Sequence, residues 1–333
     1  MRVRMLRRVL MTAGAGALMA AMAAVVPATA TSASPGPHYT WTAIDVPGSA
    51  LTVPVAVNDI GVVVGLYDDS TGLGHGFIEW GGRYTTVNNP LASKTPPTTS
   101  EAVGSDVTGT NDLGEIVGNY SPSNGDDYGF VDQGGRFTTI EDPYADNAPG
   151  LGTTVAGVND FGEIVGYYLD SDGTMHAFVY ENGRYTTYTC PGAGTGPNSS
   201  DYDLGAAGTF FGYVDNAGAM IGTCFFETTG YYNFIYQNGR FNPVPNAPGS
   251  SSSWISWVTD SGESGGWYFT TPTVANGGVP DGYTYQNGHF TTIEDPAGPY
   301  GIYLDGANDF GQIAGYYLDS SGDVNGFLMT PSH

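Results

Sequence analysis

From Trp41 onward the hydrophobic positions fall in short runs rich in β-branched and aromatic residues, broken by clusters of Gly, Asn and Asp. Runs such as Glu163-Ile164-Val165-Gly166-Tyr167-Tyr168 and His176-Ala177-Phe178-Val179-Tyr180 have the composition and length of strands. No helical period is evident past the first thirty residues. The breaks carry turn chemistry. Asn58-Asp59-Ile60-Gly61, Asn111-Asp112-Leu113-Gly114, Asn159-Asp160-Phe161-Gly162 and Asn308-Asp309-Phe310-Gly311 share N-D-x-G, varied to Asp215-Asn216-Ala217-Gly218 and Thr259-Asp260-Ser261-Gly262. Asn182-Gly183 and its equivalents Gly81-Gly82, Gly134-Gly135, Asn238-Gly239 and Asn287-Gly288 predict two-residue hairpins.

These signals recur together. A second glycine follows the first by four residues, at Gly65, Gly118, Gly166, Gly222, Gly266 and Gly315. The first glycines are separated by 53, 48, 56, 44 and 49 residues. A period near fifty with four strands per copy predicts an all-β fold, a six-bladed β-propeller of four-stranded antiparallel blades. The sixth copy stops after its third strand, at Gly326-Phe327-Leu328-Met329. Its missing strand is predicted at the other end of the chain, where Trp41–Pro47 matches Phe137–Pro143, so that the N-terminal strand closes the last blade. Closure removes open sheet edges.

The repeat resembles the HAF family of probable extracellular repeats. His176-Ala177-Phe178 spells that family's tripeptide, His75-Gly76-Phe77 is a near copy, and Asn159–Tyr168 matches its N-D-x-G-x-I-V-G-x-Y element. The resemblance covers the chain from about Trp41 on and implies an exported protein; it brings no catalytic residues.

The first thirty residues change the compartment. Arg2, Arg4, Arg7 and Arg8 precede an apolar stretch ending in Ala28-Thr29-Ala30, which reads as a secretory signal peptide over residues 1–30, with the general or the twin-arginine route both open. A short linker at 31–38 and one domain at 39–333 follow, expected to be monomeric. Removal of the signal takes the formal charge from −24 to −28. Such acidity disfavours nucleic acid and anionic membrane as partners.

Strand order divides each repeat into two ends. The first–second and third–fourth strand turns lie at one end, here the turn end. The longer, variable connections lie at the other, the loop end, where a binding site is expected. Arg83, Arg136, Arg184 and Arg240 occupy the third–fourth turn, and their identical placement predicts a structural role, pairing with the Asp of neighbouring N-D-x-G turns. Tyr67, Tyr120, Tyr168, Tyr268 and Tyr317 share one position near the loop end, with Trp267 beside them. Rings among carboxylates suit carbohydrate stacking; packing between blades is the alternative. Cys224 takes that position in the fourth repeat, and Cys190 opens the preceding connection, so a disulfide joining the third and fourth repeats is expected.

Remaining motifs are weaker. Asp170-Ser171-Asp172-Gly173 resembles the start of a calcium loop, with Asp170 and Asp172 as candidate ligands, but the residues are also ordinary turn formers. Gly262-Glu263-Ser264-Gly265-Gly266 matches a hydrolase nucleophile elbow yet is the fifth copy of the repeat's glycine pair. Paired carboxylates recur at Glu141/Asp142 and Glu294/Asp295. The function these features predict is a secreted, non-enzymatic binding module for an extracellular glycan or protein. The alternative is a glycan-active hydrolase or lyase with its site over the channel.

Overall fold

The computed structural model describes residues 38–95, 104–122, 127–146, 151–196, 206–226, 230–270, 279–293 and 301–332. The signal segment, Glu294/Asp295 and most of the linker lie outside them. Among the described residues every regular element is a strand. After β1 (Tyr39–Ile44) come β2 (Leu51–Val57), β3 (Val63–Asp68), β4 (Gly74–Trp80) and β5 (Arg83–Val87) as the first repeat. The second holds β6 (Gly104–Thr110), β7 (Glu115–Ser121), β8 (Tyr128–Gln133) and β9 (Arg136–Ile140), and the third β10 (Gly152–Val158), β11 (Ile164–Leu169), β12 (Met175–Glu181) and β13 (Arg184–Tyr188). The fourth holds β14 (Gly208–Val214), β15 (Met220–Phe225), β16 (Tyr231–Gln237) and β17 (Arg240–Val244). The fifth holds β18 (Ser250–Val258), β19 (Ser264–Thr270), β20 (Pro280–Gln286) and β21 (His289–Ile293). The sixth has three strands, β22 (Ile302–Ala307), β23 (Ile313–Leu318) and β24 (Val324–Pro331).

Each repeat pairs its strands antiparallel in sequence order. The sixth sheet is completed by β1, which pairs with β24 from Tyr39↔Pro331 to Ile44↔Gly326, and the Trp41 ring packs edge-on against Phe327 at 4.6 Å. The order within each repeat is as expected, but two pairs of repeats are also joined: β4 meets β6 in parallel at Gly74↔Gly104 and β12 meets β14 at Met175↔Gly208, which makes one eight-stranded sheet of the first two repeats and another of the third and fourth.

Both glycines of the repeat are now explained. The first takes positive φ in the turn, as Gly61 does at 80° and Gly162 at 74°. The second lies in extended strand and is required by proximity: a Cβ on Gly166 would stand 2.0 Å from the Thr154 carbonyl oxygen and 3.1 Å from the Phe178 ring. A third-strand Phe covers this gap, and Phe77, Phe130, Phe178, Phe234 and Phe327 are all buried. In the hairpins Asn182, Asn238 and Asn287 adopt positive φ together with the glycine that follows, the geometry that suits the strand twist.

Neighbouring repeats are latched by a hydroxyl. Thr52, Ser105, Thr153, Thr209 and Ser253, each near the start of a first strand, accept the N–H of Val46, Asn89, Asp142, Cys190 and Ala247 in the preceding connection. The Cys190–Cys224 disulfide spans the same junction of the third and fourth repeats, as expected. It closes a 34-residue separation, for which loop entropy alone gives roughly 3–4 kcal/mol.

Candidate functional site

The predicted site residues separate on inspection. Tyr120, Tyr168 and Tyr268 are buried, while Tyr67 and Tyr317 are half-buried. Four of the five hydroxyls are spent inside the sheet: Tyr67, Tyr120 and Tyr268 bond Thr86, Thr139 and Thr292 of the fourth strand at 2.9, 3.0 and 3.1 Å, while the Tyr317 ring stacks on Phe327. The Tyr168 hydroxyl likewise bonds Thr187. Tyr67 and Tyr168 stack on His75 and His176, which accounts for the His of the tripeptide. Tyr120, Tyr168 and Tyr268 are therefore packing residues of their own sheets.

Trp267 differs. It belongs to a run of ring contacts that the repeat does not predict: Phe210–Phe225–Tyr231–Trp254–Trp267–Tyr303–Tyr316. The run crosses the fourth to sixth repeats toward the loop end, where the first two repeats carry Val53, Leu66, Asp106 and Asn119 instead. Phe210, Tyr231, Trp267 and Phe269 remain half-buried and partly open to solvent. Phe210, Trp254 and Tyr303 share one position of the first strand, outside the second-strand tyrosine series. The usable signal was that this position holds a ring in the fourth, fifth and sixth repeats alone among the six.

The candidate calcium ligands form a turn. Asp170 Oδ1 accepts the N–H of Asp172 and Thr174, and Oδ2 lies 2.9 Å from His176 Nε2. Burial pushes the Asp170 carboxyl up, but His176 and these N–H groups outweigh it and hold it below the ordinary value. Asp69 builds the same loop with Thr71, Leu73 and His75. Asp172 is exposed. Among the described residues no three His, Cys, Asp or Glu side chains converge as a metal site. Ser264 of the apparent nucleophile elbow is buried in β19, with its hydroxyl directed at the Tyr285 carbonyl.

At the turn end the six N-D-x-G copies form a closed ring. The N–H of Asp59, Asp112, Asp160, Asn216, Asp260 and Asp309 each donates to Oδ1 of the equivalent residue in the next repeat, and Asp309 closes on Asp59 at 2.8 Å. A second circle runs beneath it. Asn58, Asn111, Asn159 and Asn308 each send Nδ2 to the next turn's carbonyl, Asn308 again reaching Asn58. These residues surround a cavity of about 50 Å³ with the Tyr213 ring in its wall. The expected pairing of the Asp residues with arginines is not what forms. Backbone N–H groups occupy the Asp side chains, and Arg83, Arg136, Arg184 and Arg240 stay exposed further along the chain.

The second circle is broken at Thr259, which has no side-chain amide, and at Asp215. Asp215 stands where four other repeats have Asn and accepts the Ala219 N–H, but has no amide to donate onward. Burial, with Asp260 and Asp309 nearby, pushes its carboxyl from 3.8 up to about 7. The folded state thus binds this proton more tightly than the unfolded one, so stability is lost as pH rises from about 4 through about 7. Asp215→Asn removes that loss and supplies a donor for the Thr259 carbonyl, a bond of about 1 kcal/mol. The variant is expected to melt ~3 °C or more above the parent at pH 8, with the gap narrowing toward pH 4, as scanning calorimetry would show.

The chain is thus an all-β protein of six four-stranded repeat units. No family model and no curated protein matches it. Solved structures do. A chain of unknown function from Dyadobacter fermentans is similar at 10% identity over 90% of this chain and 100% of that one, with a TM-score of 0.52. The fucose-binding fungal lectin of Aleuria aurantia, described as a six-bladed β-propeller, has a TM-score of 0.47 at 13% identity, covering 85% of this chain and 97% of that one. AofleA from Arthrobotrys oligospora gives 0.48 at 10%, covering 86% and 81%.

Proposed function

We propose that this chain is an exported six-bladed β-propeller of HAF-like repeats that acts as a non-catalytic binding module, taking an extracellular glycan at its loop end. The aromatic run around Trp267 carries this reading. Among the described residues its half-open rings lie together near that end, and flat rings stack on the C–H faces of sugars. The signal peptide read over residues 1–30 supports placement outside the cell. A glycan array probed with the mature chain tests the proposal. Binding is expected, and Trp267→Ala is expected to weaken it at least tenfold while the melting curve stays cooperative. Glycan binding indifferent to Trp267 would move the site elsewhere. Release of reducing ends from a bound polysaccharide would replace the binding module with a hydrolase or lyase.

A further inference from the structure

The turn end presents a second surface that neither the packing nor the loop-end site uses. In each N-D-x-G turn the third residue points away from the sheet. Phe310, Ile60, Leu113 and Phe161 fill that position in four repeats and are 69, 58, 74 and 71% exposed. The ring of N–H to Oδ1 bonds runs from Asp309 to Asp59, Asp112 and Asp160, so these four side chains belong to successive repeats and form one arc. The remaining two repeats place the small residues Ala217 and Ser261 there. Large apolar side chains at turn tips cost solubility, and an exposed apolar arc of this kind marks a contact surface.

Charge identifies what would cover it. The arc borders the cavity lined by Asp59, Asp112, Asp160, Asp260 and Asp309. The arginines of the third–fourth turns are exposed rather than bonded to these carboxylates. The result is an acidic centre beside an apolar arc. A second copy stacked mouth to mouth would set the same carboxylates against each other, the exposed Arg83, Arg136, Arg184 and Arg240 standing on the fourth strands away from the mouth. A sugar offers no positive charge to the centre. We propose that the turn end docks a partner protein through a segment that places one Lys or Arg side chain over the acidic mouth, with apolar side chains on the Phe310–Ile60–Leu113–Phe161 arc. The cavity, about 50 Å³, has room for an ammonium head, and no three carboxylates among the described residues converge to hold a metal ion in its place.

The fourth repeat supplies the control. Asn216 holds the ring position with an amide, and its Oδ1 still accepts the Asp160 N–H at 2.8 Å. The triple variant Asp59→Asn/Asp112→Asn/Asp160→Asn therefore removes three charges and keeps the ring bonds. The experiment selects twelve-residue peptides from a random display library on the immobilised mature protein, then measures one synthetic peptide by fluorescence anisotropy. Selected sequences are expected to hold a Lys or Arg flanked by apolar residues. The peptide's Kd is expected to rise at least tenfold in the triple variant, at least tenfold in Phe161→Ser/Phe310→Ser, and severalfold between 50 and 500 mM salt. Selection without basic residues, no selected peptide, or a Kd unmoved by either variant would overturn the proposal. Glycan binding separates it from the loop-end reading: the triple variant is expected to bind the array like the parent, and loss of glycan there would reassign this face to the sugar.

Discussion

Removing residues through Ile44 is expected to abolish the soluble, folded form of this protein. The deletion takes away β1 and with it the six-residue pairing along β24, the Trp41–Phe327 contact and the buried Ile44 side chain. Two large apolar side chains alone represent about 4 kcal/mol of burial. The greater effect is that β24 becomes an open edge carrying the newly uncovered side of Phe327, and open apolar edges recruit other chains. Size-exclusion chromatography is expected to show aggregates. A synthetic peptide spanning His38–Val46, supplied during refolding, is expected to recover monomer by adding itself as the missing strand. A truncated chain that stays monomeric with an unchanged melting temperature would show that β1 is dispensable.

The second large effect separates the two glycines of the repeat. Gly166→Ala puts a Cβ 2.0 Å from the backbone oxygen of Thr154, with the Phe178 ring behind it. Neither neighbour is the free end of a flexible side chain, so strands β10 and β11 must part. A loss of more than ~3 kcal/mol is expected, in keeping with overpacking against immovable backbone. Gly162→Ala meets only the distant end of Glu115 at 3.9 Å, and its cost is the left-handed backbone alone, about 1–2 kcal/mol. Urea titration of both variants reads the difference directly. Equal losses would mean that the positive φ, not the crowding, is what the sequence protects.

Much of this architecture was legible because each local signal agreed with its neighbours. The Asn-Gly hairpins, the strand runs and the terminal match between Trp41–Pro47 and Phe137–Pro143 all pointed to one arrangement, and the observed pairings follow it. The cysteines were legible for the same reason, since both occupy named positions of the repeat. Contacts that skip a strand were harder to see. The tyrosine of the second strand reaches over the third to a threonine of the fourth, and nothing in the spacing distinguishes that from an outward-facing ring. Contacts between repeats were harder still. The Asp of N-D-x-G looked like a partner for arginine because the two share an end of the sheet; only the closed circle brings a backbone N–H nearer. The aromatic run and the exposed turn tips were obscured by opposite habits of repeat reading. Rings at a position filled in only half of the repeats stood outside the sixfold pattern, and the uniform end was credited wholly to scaffold.

The hydrogen-bonded ring has a consequence for the order of the gene. Every bond in it points the same way, from one repeat to the next, and the last returns to the first. Ser332 also donates its N–H to the His38 carbonyl at 2.8 Å, so the two ends of the domain already touch. Spatially, then, the circle has no first repeat. A gene that began at the second repeat and fused the present ends through a short bridge would encode the same set of neighbours. Such a permuted chain is expected to keep the ring of N–H to Oδ1 bonds.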